Sequence, residues 1–166
     1  RRQRQMCIRD RYGDVRMGGA NNTVYLWCNN STVNFKGDFI GLSALWEISG
    51  GTVTFCADSG VHTITSGGGT FYSLIFDDNG GGATWQLTDS LRVTGNLTIE
   101  SGILDIEGQD VSVTGSFFNN AYFQVEGNET LLLNPDTDTG TVIYDGLLGY
   151  TGFVYGNDYY DLSCVG

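Results

Sequence analysis

The chain has 166 residues, enough for one domain with a sizeable core, and carries 25 glycines, a single proline and a formal net charge of −11. Six of its eight basic residues lie at or before Arg16, so residues 17–166 hold two bases against 17 acids, a formal −15. Such a body repels phosphate backbones, which excludes nucleic acid as a partner, and the glycines follow no three-residue period, which excludes collagen.

The N-terminal stretch Arg1 to Arg11 matches nothing in the composition that follows it. Met6-Cys7-Ile8-Arg9-Asp10-Arg11 resembles the translation of a transposon adapter end used in sequencing libraries. Residues 1–11 are therefore expected to be an assembly artefact or a disordered tail, with the natural sequence starting near Tyr12. The competing reading is a basic arm for nucleic acid or an acidic membrane.

From residue 23 onward short runs alternate apolar and polar residues: Thr23 to Trp27, Thr52 to Cys56, Val61 to Thr65, Thr84 to Leu87, Leu97 to Ile99, Ile103 to Ile106, Tyr122 to Val125 and Thr130 to Leu133. Gly, Asn, Asp and Ser clusters separate them and supply the conformations that tight corners need. No helical period of useful length appears. No stretch approaches the ~20 apolar residues of a membrane span, and no signal peptide pattern is present.

Two internal offsets stand out. Leu91 to Leu97 recurs as Val111 to Phe117, 20 residues later, and Ile103 likewise meets Phe123. A longer offset of 78 aligns Leu26 with Leu104, Val33 with Val111, Phe35 with Val113 and Phe39 with Phe117. These periods predict an all-β chain in which residues 12–166 form a single parallel β-solenoid fragment, a β-helix with strands about 4.8 Å apart. Tandem β-sandwiches are the alternative, but they need closed domains and usually a linker, and no Pro- or Ser-rich break separates the copies. The chain is expected to begin inside one 78-residue copy and stop inside the next.

Val93-Thr94-Gly95-Asn96-Leu97-Thr98-Ile99 followed by Ser101-Gly102-Ile103-Leu104-Asp105, together with Thr70-Phe71-Tyr72-Ser73-Leu74-Ile75-Phe76, resembles the repeat regions of filamentous-haemagglutinin-type and autotransporter-type bacterial surface proteins. That resemblance implies a right-handed parallel β-helix, an extracellular or cell-surface location, and a stalk or adhesive role. The expected partners are then glycans, a host or neighbouring cell surface, and further copies of the repeat in a longer parent.

Candidate sites are few. Asp77-Asp78-Asn79-Gly80 and Asp136-Thr137-Asp138-Thr139-Gly140 are oxygen-rich clusters of the kind that coordinate Ca²⁺, although neither continues as an EF-hand loop; Asp77, Asp78, Asp136 and Asp138 are the candidate ligands, with solvated turns the competing reading. Apart from Ca²⁺, no cofactor is expected. Trp85 and Tyr122 are the candidates for stacking on a sugar ring, against core or corner packing as the plainer use. Asp105, Glu107 and Asp110 form the nearest approach to a carboxylate active site, with Asp105 and Glu107 expected outward of Leu104 and Ile106. No adjacent base supports a lyase, and His62 pairs with no nucleophile, so the chain is not expected to be an enzyme. Cys7, Cys28, Cys56 and Cys164 show no metal-ligand spacing with His62, and Cys28 and Cys56, in apolar runs, are expected to be small buried hydrophobes ahead of a disulfide. Sequons at Asn21, Asn29, Asn30, Asn96 and Asn128 would matter only in a eukaryotic secretory host.

The leading function is a non-catalytic structural or adhesive segment of a secreted or cell-surface protein. The alternative is a carbohydrate-binding or carbohydrate-active β-helix such as a phage tail spike or polysaccharide lyase.

Overall fold

The computed structural model describes residues 10–11, 13–17, 24–27, 31–42, 46–146, 153, 155 and 159–165. Among them the secondary structure is entirely β: β1 (Asp10–Arg11), β2 (Val15–Met17), β3 (Val24–Trp27), β4 (Thr32–Phe35), β5 (Phe39–Gly41), β6 (Trp46–Phe55), β7 (Gly60–Thr65), β8 (Thr70–Phe76) and β9 (Ala83–Leu87). There follow β10 (Leu91–Val93), β11 (Leu97–Ile99), β12 (Ile103–Asp105), β13 (Val111–Val113), β14 (Phe117–Asn119), β15 (Tyr122–Val125), β16 (Leu131–Leu132), β17 (Thr141–Tyr144) and β18 (Asp161–Cys164).

Every strand pairing is parallel, and the chain winds as a β-solenoid of about six turns with three faces. The first face stacks β3, the start of β6, the start of β8, β10, β13 and β16; Ile48 pairs with Phe71, and Phe71 with Val93. The second stacks β1, β4, the end of β6, the end of β8, β11 and β14, with Val33, Val53, Leu74, Leu97 and Phe117 in one inward row. The third runs from β2 through β5, β7, β9, β12, β15 and β17 to β18. Two-sheet antiparallel packing, the sandwich alternative, is absent from the described residues. Because β6 crosses from the first face to the second, it must bend in mid-strand. Gly50 and Gly51 supply that corner at φ of +72° and +74°, a region closed to most L side chains.

The coil length varies. Leu97 lies beside Phe117, 20 residues on, as the shorter sequence period predicts. On the third face, however, Leu104 pairs with Phe123 and Ile103 with Tyr122, so the offset there is 19 and the expected Ile103–Phe123 match slips by one. Early coils are longer, since Phe39 pairs with Ile64. The 78-residue correspondence joins strands on adjacent faces: Val33 belongs to the second face and Val111 to the first, and Phe39 to the third and Phe117 to the second. It matches the alternation shared by all faces, without being a stacking register.

Inward rows from three faces meet in one continuous core. Val53, Leu74, Leu97, Leu104 and Phe123 are fully buried, each burial stabilising by roughly 1.5–3 kcal/mol. Aromatics fill the wide early coils, where Phe39, Trp46, Phe55 and Phe71 pack at centroid distances of 4.9 to 6.2 Å. Trp46 also donates from Nε1 to the Ser66 carbonyl at 2.7 Å, and a Cβ on Gly69 would run into its indole, so close backbone approach fixes that corner. At the C-terminal end Tyr155 is buried against Phe117 and Phe123, and the Tyr144 and Tyr159 hydroxyls are 2.9 Å apart.

Many of the acids have a structural use. At each corner a strand's backbone N–H loses its ladder partner, and a carboxylate often replaces it. Asp38 accepts from the Thr63 N–H at 2.8 Å, Asp89 from Ser66 and Gly67 at 2.5 and 2.6 Å, and Asp110 from Thr130 at 2.7 Å. Glu129, 5% exposed, accepts from Gly127 and Asn128 at 2.9 Å.

Candidate functional site

After Leu132 the chain leaves the ladder. Pro135 has no N–H to give a sheet, and residues 133–140 contain no strand, so the described structure lays no further strand on β14. Beside the uncovered edge lies a shallow groove of about 320 Å³ bounded by Ser116 to Phe118 and Asn134 to Asp138. Phe118 points outward with 44% of its surface exposed.

Asp136 anchors this loop. Its Oδ2 accepts from the Asn119 N–H at 2.7 Å, and its Oδ1 from the Asp138 N–H at 3.3 Å. Its own N–H donates to the Tyr155 hydroxyl at 2.8 Å, which in turn donates to the Asp136 carbonyl at 3.3 Å. Burial pushes the Tyr155 phenol well above its ordinary range. Burial also works to raise the Asp136 carboxyl, but hydrogen bonds from Asp138 and the Asn119 N–H outweigh it and leave Asp136 below its ordinary value. Asp138 moves the other way, because its hydrogen bond with Asp136 and the neighbouring negative charge make it hold a proton more tightly.

The other predicted residues lie elsewhere. Asp77 and Asp78 sit at a corner between the second and third faces, three coils before Asp136 and Asp138, so the four carboxylates do not converge. Asp77 Oδ1 accepts from the Ser101 hydroxyl at 2.9 Å, while Asp78 is 5% exposed and takes the N–H groups of Gly80 and Gly82 at 2.7 and 2.8 Å. Their oxygens close a turn, the plainer of the two sequence readings. Among the described residues no group of three or more Asp, Glu, His or Cys is arranged to hold a metal ion.

Trp85 requires a correction: it is fully buried, packed against Phe76 at 5.2 Å, with no face free for a sugar ring. Tyr122 is 48% exposed on the outer side of β15, in a row with Thr84, Ile103 and Thr141, and the two aromatics predicted to act together point to opposite sides of the sheet. Asp105 also departs from expectation. It is outward, as Leu104 and Ile106 require, yet only 6% exposed, since Gln86 and Gln124 lie in register on either side and Gln86 Nε2 donates to it at 3.1 Å. The same Gln86 amide donates to Glu107 at 2.6 Å. Burial raises the Glu107 carboxyl, and the charges of Asp105, Glu126 and Asp145 raise it further. Asp110 instead caps Thr130 and does not join that cluster. His62 is part-buried, its Nε2 3.0 Å from the Ser59 carbonyl and Nδ1 3.9 Å from Asp38. Cys56 is buried as predicted, Cys164 is exposed on β18, and Cys7 and Cys28 lie outside the described residues.

No protein family, curated protein or solved structure matches the chain. No helix among the described residues is long and apolar enough to cross a membrane.

Proposed function

We propose that the chain is a non-catalytic structural or adhesive segment of a secreted or cell-surface repeat protein, joined in its parent to further copies of the repeat. One observation carries this reading: strands stack in three parallel ladders, each coil resting on the last, with carboxylates engaged as corner caps. A stacked array of that kind transmits load along its axis and offers a long, regular, acidic outer surface to glycans or a neighbouring cell.

A second reading, carbohydrate binding or cleavage, draws on the groove beside β14, where Asp136 and Asp138, whose carboxyls shift in opposite directions, lie next to the exposed ring of Phe118. Incubating the full chain with intact cells and with a panel of acidic and neutral polysaccharides separates the two. Saturable binding to intact cells without release of reducing ends supports the structural or adhesive role; release of reducing ends that Asp136→Asn removes would replace it with the enzymatic one.

A further inference from the structure

On the third face β18 pairs with β17 alone, and its register runs without a bulge from Asp161 to Cys164. The Val165 N–H donates to the Tyr144 carbonyl, so alternation turns the backbone of Asp161, Ser163 and Val165 toward β17 and that of Leu162 and Cys164 away from it. No strand or loop among the described residues bonds that outer pair. The edge is also open to solvent: Leu162 is 41% exposed, Val165 50% and Tyr160 62%, with Cys164 exposed beside them. Leu162 and Cys164 lie in register with the buried Val142 and Tyr144, so they extend two inward rows that no other described coil covers.

An unpaired edge is a template for another strand, and proteins blunt such edges with lysine, proline or a bulge. β18 has none of these, and its one charge is Asp161. The occupant that fits is the same strand of a second copy. A two-fold axis through Ser163 sets Leu162 against Cys164 of the second copy, and each such pair exchanges two N–H···O bonds, which answers every outward group on both edges. The exposed Leu162 and Cys164 side chains then cover one another, and Asp161 falls opposite the apolar Val165. The two Asp161 carboxylates lie about 13 Å apart along the strands, beyond the Debye length of about 8 Å at physiological salt. Charge selects this part of the surface for self-association: residues 159–165 hold one acid, whereas residues 17–166 hold 17 acids against two bases. We propose that two copies of the chain associate by antiparallel pairing of β18 with β18, a contact between separate molecules that goes beyond the structural or adhesive role of one.

Disulfide trapping in the full chain tests the pairing. Every variant carries Cys164→Ser, so Cys7, Cys28 and Cys56 are common to all. Ser163→Cys sets two thiols on a non-hydrogen-bonded pair with Cα atoms about 4.5 Å apart, within the span of a disulfide. Asp161→Cys sets them about 13 Å apart along the strands, out of reach. Mild oxidation should therefore double the mass of the first variant on a non-reducing gel and leave the second monomeric. In sedimentation of the otherwise unaltered chain, Val165→Lys places an ammonium opposite Asp161 and should tighten association about fivefold, and Val165→Asp should loosen it by a similar factor. The proposal is overturned if the chain sediments as a monomer up to its solubility limit, if Ser163→Cys and Asp161→Cys cross-link alike or not at all, or if both Val165 variants act in the same direction. It is also overturned, in favour of a partner protein, if a blocked peptide of alternating valine and lysine protects the Leu162 and Cys164 amides from exchange while the chain stays monomeric.

Discussion

Replacing Trp85 by alanine separates a core role from a ligand-stacking role in one experiment. The indole is fully buried on β9, in register with His62 on one side and Leu104 on the other, and packs against Phe76. Truncating a buried tryptophan to alanine costs about 3–5 kcal/mol, lost transfer energy plus the cavity left behind. For a chain of this length each kcal/mol moves the melting midpoint by roughly 2–4 °C, so Trp85→Ala should melt roughly 6–20 °C below the parent. The damage should concentrate in the neighbouring coils, because a solenoid passes stress chiefly to its nearest neighbours. Far-UV circular dichroism gives the midpoint, and hydrogen exchange shows which coils open first. A midpoint within about 2 °C of the parent would refute the placement of this residue in the core.

Asp78→Asn removes the charged acceptor for Gly80 and Gly82 and should cost about 2 kcal/mol near neutral pH. The neighbouring Ser101 hydroxyl and those N–H groups hold the Asp78 carboxyl below its ordinary value. Its stabilisation is therefore present above the unfolded-state pKa and lost as pH falls through the folded one, so parent and variant should converge in urea titrations at acid pH. Glu107→Gln should act in the opposite sense. The Glu107 carboxyl is raised by burial and by Asp105, Glu126 and Asp145, so its penalty is absent below the unfolded-state pKa and grows as pH rises through the folded one. The variant should melt higher than the parent near neutral pH and no higher well below the carboxylate range; a lower midpoint near neutral pH would contradict the like-charge cluster. Gly69→Ala drives a methyl into the Trp46 indole, whose Nε1 is tied to Ser66, and should cost about 1–3 kcal/mol by denaturant titration.

The solenoid was legible because a stacked coil repeats its apolar positions at nearly fixed spacing, and Leu91 to Leu97 over Val111 to Phe117 shows that spacing with little interference. What the pattern could not do was distinguish faces. All three alternate in the same way, so an offset that moves a strand to the adjacent face aligns as well as one that stacks it, and the 78-residue match is of that kind. Alternation did contain the answer for two aromatics: Trp85 shares parity with Leu87 and Tyr122 opposes Phe123, which sends the first inward and the second outward. Asp105 needed more, since its burial follows from Gln86 and Gln124 lying in register, and a one-residue error in that register hides it. The corner carboxylates read as metal ligands in sequence because turn-capping and cation binding use the same residues. The groove beside β14 left the faintest trace, a lone Pro135 among polar residues, because it depends on where the chain departs from the ladder.

Through-space contacts between backbone protons in isotopically labelled protein test the parallel solenoid most directly. In-register contacts should join Leu91 with Val111 and Thr98 with Phe118 at an offset of 20, and Leu104 with Phe123 and Phe123 with Val142 at an offset of 19. Contacts whose residue numbers rise on one strand while falling on its neighbour would show antiparallel hairpins, and the account of this chain as a stacked parallel coil would be wrong.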